Sequence, residues 1–100
     1  MSGITGHEKW LYRRALEEWG EEAQIDVLLE EMGELLTALS KRNREINGSS
    51  EEEIKGEIVD LQIALDQAKL IFFEREMEFI EMKRGSMMYL KDLLEGRIEP

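Results

Sequence analysis

"LLEEMGELLTAL" (residues 28–39) and "IKGEIVDLQIAL" (residues 54–65) decide how this chain folds, because they are nearly one pattern written twice. At a constant offset, Glu31 falls on Glu57, Glu34 on Asp60, Ala38 on Ala64 and Leu39 on Leu65. Each stretch repeats apolar residues at helical period. The first carries Leu28, Met32, Leu35 and Leu39; the second carries Ile54, Ile58, Leu61 and Leu65 and continues to Ala68 and Phe72. Two amphipathic helices joined by a short loop form an antiparallel hairpin.

The rest of the chain is read outward from that hairpin. Between the repeats, "NREINGSSEEE" is the clearest break: Asn47 and Gly48 suit a turn, and Ser50 followed by Glu53 is a capping-box pattern. Before them, a first helix is expected over residues 7–19, stopping at Gly20, and a second from Glu21 to about Arg44. After them, residues 73–94 form a fourth segment whose apolar residues cover more than one face. Met77, Ile80 and Met87 lie on one line, Phe79, Met82, Leu90 and Leu93 on another. Gly85 and Ser86 are poor helix formers and predict a kink or a change of register there. A helix that is apolar on several sides must be covered on several sides. The expectation is therefore one all-α domain over residues 1–100, a helical hairpin forming a four-helix bundle that a homodimer or tetramer completes.

Composition narrows the chemistry. No cysteine is present, which removes disulfides, thiolate metal sites and cysteine nucleophiles. A net charge of -10 argues against binding a nucleic-acid polymer, though not against a phosphorylated small molecule approached through cations. No run has membrane-spanning length, and "MSGITGHEKW" lacks the pattern of a signal peptide, so a soluble, cytoplasmic protein is expected. No GxxxxGK loop occurs, and the single histidine, His7, is expected in a frayed terminus and inert. "KRNRE" after the second helix reads as basic charge favoured at a helix C-terminus.

Acidic pairs three residues apart are common in such a chain. With 23 acids in 100 residues, about five pairs arise by chance on a helical surface, and five occur. Glu18/Glu21, Glu78/Glu81 and Asp92/Glu95 read as solvated faces. Glu31/Glu34 and Glu57/Asp60 differ in where they point. Glu31 and Glu57 lie about 60° from the start of their apolar stripes and Glu34 and Asp60 about 120°, so all four border the seam. Ala38 and Ala64 follow on the same flank and leave room. In an antiparallel hairpin these flanks can face each other, and converging carboxylates need a cation among them. An all-oxygen ligand set suits Mg²⁺ or Mn²⁺ over Zn²⁺.

"EEMGE" (Glu30, Glu31, Glu34) followed by "EIVD" (Glu57, Asp60) resembles the EExxE…ExxD signature of the MazG-like, all-α nucleoside triphosphate pyrophosphohydrolases. "WGEEAQIDVLLEEMGELLTALSK" and "EIVDLQIALDQAKLIF" look like the second and third helices of the small single-domain members, and "EMKRGSMMYLKDLL" is similar to their fourth. The resemblance implies hydrolysis of a nucleoside triphosphate to the monophosphate and pyrophosphate. It implies Mg²⁺ held by Glu31, Glu34, Glu57 and Asp60, and phosphate contact by Lys83. Glu30 lies about 40° further from the stripe than Glu34, so it is the weakest ligand. Glu30 or Glu34 is the expected base for an attacking water. Lys69 as a second phosphate contact and Trp19 as a stacking surface for the base complete the candidate set, against surface-lysine and core-aromatic readings of the same residues. The alternatives are a non-catalytic acidic helical interaction module and a degenerate family member that binds metal and nucleotide but turns over slowly.

Overall fold

Local capping chemistry starts each half of the hairpin. At the first helix, Glu8 N–H donates to Thr5 Oγ1 (3.1 Å) while Thr5 N–H donates to the Glu8 carboxylate (3.0 Å). This reciprocal capping box satisfies two otherwise orphaned donors. The protein, a computed structural model that describes residues 4–44 and 47–99, then runs as helix α1 over Gly6–Arg44. His7 is not in a frayed end: it lies within α1, its ring stacked on Trp10 at 6.2 Å. Gly20 breaks the helical path, with φ 86° and ψ 166°, a conformation that a Cβ would strain. The two helices expected on either side of Gly20 are therefore present, meeting at this kink within α1.

Helix α2 spans Glu51–Phe72 and begins at Ser50, whose Oγ accepts the Glu53 N–H at 3.1 Å as the capping pattern requires. Glu45 and Ile46, inside the expected break, lie outside the described residues. α2 ends where Phe73 turns extended, its N–H donating to the Lys69 carbonyl at 3.0 Å. Helix α3 covers Glu76–Leu94.

Two expectations about the last segment need correction. It starts at Glu76 rather than Phe73, because residues 73–75 form the corner between α2 and α3. It also passes through Gly85 and Ser86 without a break. A glycine costs a helix about 1 kcal/mol relative to alanine but imposes no bend by itself. Strong helix formers (Met82, Lys83, Arg84, Met87, Met88) carry the helix past it. Regular structure among the described residues is entirely helical.

The part of α1 after Gly20 packs antiparallel against α2, and the buried residues of that seam are small or polar. Ala38 and Ala64 are the buried apolar residues, at 8 % and 3 % exposure, and Gln24 is buried at 6 %. Gln24, Glu31 and Ala38 are spaced by seven residues on α1, as Glu57 and Ala64 are on α2, so each set occupies one helical line. Of the four acids expected at the border of the seam, Glu31 and Glu57 sit within it, partly buried, while Glu34 and Asp60 are exposed at its edge. Alanines let the backbones approach closely there. Of the aliphatic stripes, Leu28, Leu35, Ile54 and Leu61 are half-buried in the seam, while Met32, Leu39, Ile58, Leu65 and Phe72 remain exposed at its sides.

α3 buries no residue. Its anchor is Phe79, edge-on to Phe73 at 5.4 Å with the Lys69 ammonium 4.0 Å from its ring centre. Met77, Met82, Met87, Met88, Tyr89, Leu90 and Leu94 face outward. The radius of gyration is 16.6 Å, against about 13 Å for a compact chain of this length. Among the described residues, no helix is long and apolar enough to cross a membrane.

Candidate metal centre

The hairpin brings the two acid pairs together at mid-length. One carboxylate oxygen from each of Glu31, Glu57 and Asp60 lies within 4.8 Å of the others. Glu34 is near enough to Glu31 and Glu57 for its carboxylate to accept a proton carried by either. All four residues singled out from the repeat therefore share one locality, and both helices contribute two.

The electrostatics are those of a site short of positive charge. Oε2 of Glu31 and Oε2 of Glu57 are sealed from solvent, and neither has a hydrogen-bond partner. Desolvation raises the Glu31 carboxyl above its ordinary range first, followed by the charge and proton-sharing of Glu34 and the charges of Asp60 and Glu57. Glu57 is raised likewise, by desolvation, then by Glu34, Asp60 and Glu53. An unpaired charge sealed in this way is costly, and a cation or a proton relieves it. The donor set is all oxygen, as Mg²⁺ or Mn²⁺ prefers. The residues fit the ion.

Beside this cluster opens a cleft of about 470 Å³ whose lining includes Glu30, Glu34, Thr37, Lys41, Ser49 and Glu57. Glu30, exposed and one residue before Glu31, faces the same space as Glu34. Lys41, read from the sequence as basic charge at a helix C-terminus and found in the last turn of α1, also lines this cleft. It follows Glu34 by seven residues and so shares its helical line, a spacing that points to it. The loop holds it in place: Gly48 passes so close to the Lys41 carbonyl that a Cβ there would collide with it.

The other candidate residues lie elsewhere. Lys69 and Lys83 share a different groove of about 670 Å³, with Asp66, Phe72, Phe73 and Phe79 along its walls. Nine residues separate Asp60 from Lys69, which turns the lysine about 180° around α2. Within one chain these cations therefore face away from the carboxylates. Trp19 stands 66 % exposed beside the Gly20 break, outside the lining of both grooves. Gln24, on the helical line of Glu31, holds a buried Oε1 without a partner, and no spacing rule singled it out. Compared with protein-family models, with curated proteins and with solved structures, the chain matches none.

Proposed function

We propose that this protein is a metal-dependent nucleoside triphosphate pyrophosphohydrolase of the MazG-like type, acting in the cytoplasm as a homo-oligomer. The observation that carries the reading is the meeting of Glu31, Glu57 and Asp60 within 4.8 Å, with Glu34 against two of them and two sealed oxygens lacking partners. Those oxygens favour a small ion over a basic macromolecule, because a protein partner cannot reach an atom closed off from solvent. The interaction-module reading is weaker for that reason.

Glu31, Glu34, Glu57 and Asp60 hold the cation in this reading. When bound, Mg²⁺ or Mn²⁺ neutralises phosphate charge and lowers the pKa of water. Glu30, lining the cleft beside Glu34, takes the proton of the attacking water, since Glu34 is engaged with Glu31 and Glu57. Attack at the α-phosphorus follows from the family resemblance, with pyrophosphate as leaving group. Lys69 and Lys83 contact phosphate, and Trp19 the base, only when a second copy brings them to the acids.

Surface area supports that assembly. The chain exposes 8024 Å², whereas a compact monomer of 11.7 kDa exposes about 5,900 Å². The excess, with the apolar residues of α3, suits a second hairpin completing a four-helix bundle.

The test is to incubate the protein with Mg²⁺ and a panel of canonical, deoxy and modified nucleoside triphosphates in ¹⁸O-water and separate the products. Monophosphate carrying the label together with intact pyrophosphate is expected. Orthophosphate and diphosphate as first products would overturn the mechanism.

A further inference from the structure

We propose that Lys41 is the cation that receives the far phosphates of the substrate, so that the cleft selects polyphosphorylated nucleotides over monophosphates. The proposal rests on the carboxylates being a metal site. A di- or triphosphate entering an acidic cleft needs positive charge at both ends of its chain, and the metal supplies it at one end only. Among the described residues lining the cleft, Lys41 is the one cation, beside Glu30, Glu34, Glu53 and Glu57.

Its position suits the other end. Lys41 lies two turns beyond Glu34, within about 20° of the same helical line and about 10.5 Å along the axis. Helical side chains lean toward the N-terminus of their helix, so its long stem shortens that gap. The hydroxyls of Thr37 and Ser49, lining the same cleft, add neutral donors. Gly48 packs closely against the Lys41 carbonyl, three residues before α1 ends at Arg44. Lys69 and Lys83, on the far side of α2, do not serve this cleft within one chain.

The competing role, a helix-terminal charge answering the macrodipole, concerns stability alone, and ligand binding separates the two. Titration calorimetry on the full chain compares wild type, Lys41→Gln, Lys41→Met, Asp60→Asn and, as a remote charge control, Lys55→Gln, which removes a surface pair with Glu52 (3.5 Å). The titrants are Mg²⁺ alone, then inorganic pyrophosphate or a nucleoside monophosphate in Mg²⁺. Removing a charge-assisted contact should raise the pyrophosphate Kd about tenfold or more in both Lys41 variants. Their Mg²⁺ affinity should not weaken, their monophosphate affinity should stay within about twofold, and Lys55→Gln should resemble wild type. Pyrophosphate bound equally by wild type and both Lys41 variants, but lost in Asp60→Asn, would overturn the role of Lys41 and leave the metal site standing. A lowered Tm in the Lys41 variants with unchanged Kd would assign the residue to the dipole and overturn it too. Wild type that binds neither Mg²⁺ nor pyrophosphate would sink both readings.

Discussion

Glu31 and Glu57 hold equivalent positions on the two antiparallel helices, and each keeps one carboxylate oxygen sealed from water without a partner. Each also stands seven residues before the buried alanine of its own helix, Ala38 or Ala64. The same close approach that buries the alanines strips water from the acids. Packing and electrostatics are therefore set against each other in the seam.

That conflict makes stability depend on pH. Both carboxyls are raised above their ordinary range in the folded protein, so between the ordinary and the raised pKa the folded state binds more protons than the unfolded one. Stability therefore falls as pH rises through that window and is recovered as pH falls back through it. In chelator, the Tm of wild type should rise as pH is lowered from 7 toward the ordinary glutamate pKa. In Glu31→Gln and Glu57→Gln the slope should flatten. A wild-type slope identical to both variants, read by thermal melts across the window, would remove the repulsion argument.

Metal should act in the same direction at neutral pH. A Mg²⁺ or Mn²⁺ ion held by the folded state alone should raise Tm progressively with concentration, by the equivalent of about 2.7 kcal/mol at a hundred times Kd. Asp60→Asn should melt higher than wild type in chelator and respond less to metal. Superimposable curves with and without metal in both proteins would mean that the acids are only a surface.

Activity should separate the five acidic pairs. Losing an outer partner of a metal ligand costs 10–100-fold, so losing a ligand itself should cost at least about 100-fold in kcat/KM. That loss is expected for Glu31→Gln, Glu34→Gln, Glu57→Gln and Asp60→Asn, with folding retained by circular dichroism. Glu78→Gln, on the solvated face of α3, should stay within about twofold of wild type. Equal losses at Glu78 and Asp60 would contradict the assignment.

The loop contact at Gly48 gives a purely structural expectation. A methyl group there meets the Lys41 backbone, which cannot swing aside as a side chain can. Gly48→Ala should lower stability by about 1–3 kcal/mol, the usual cost of overpacking. Urea unfolding that matches wild type would show that the loop can yield.

Association is the remaining expectation. The exposed apolar faces of α3 and the flanks of the hairpin should be covered by a second copy, giving a dimer or a pair of dimers in solution. Multi-angle light scattering at micromolar concentration checks it. A stable monomer with the far-ultraviolet signature of the folded chain would exclude it.

Features that depend on a few neighbouring residues can be read directly from the chain. The helical character, the Ser50 cap on the Glu53 N–H, the break at Gly20 and the matched acid pairs on one flank were all legible, because each rests on backbone preference or on a period of 3.6 residues. The Thr5–Glu8 capping box was legible in principle, and so was the end of α3, where Gly96 N–H and Arg97 N–H donate back to Leu93 and Asp92 carbonyls. Tertiary structure decided the rest. Which line of each helix forms the seam depends on how the two helices pack: Ala38 and Ala64 are buried there, with Leu28, Leu35, Ile54 and Leu61 half-buried beside them. The cleft around Lys41 depends on the close approach of Gly48 to the Lys41 backbone, and the separation of Lys69 from the acids depends on rotation about α2, that of Lys83 on where α3 packs. A periodic pattern says which residues share a face. The partner that the face meets is set by packing between segments distant in sequence.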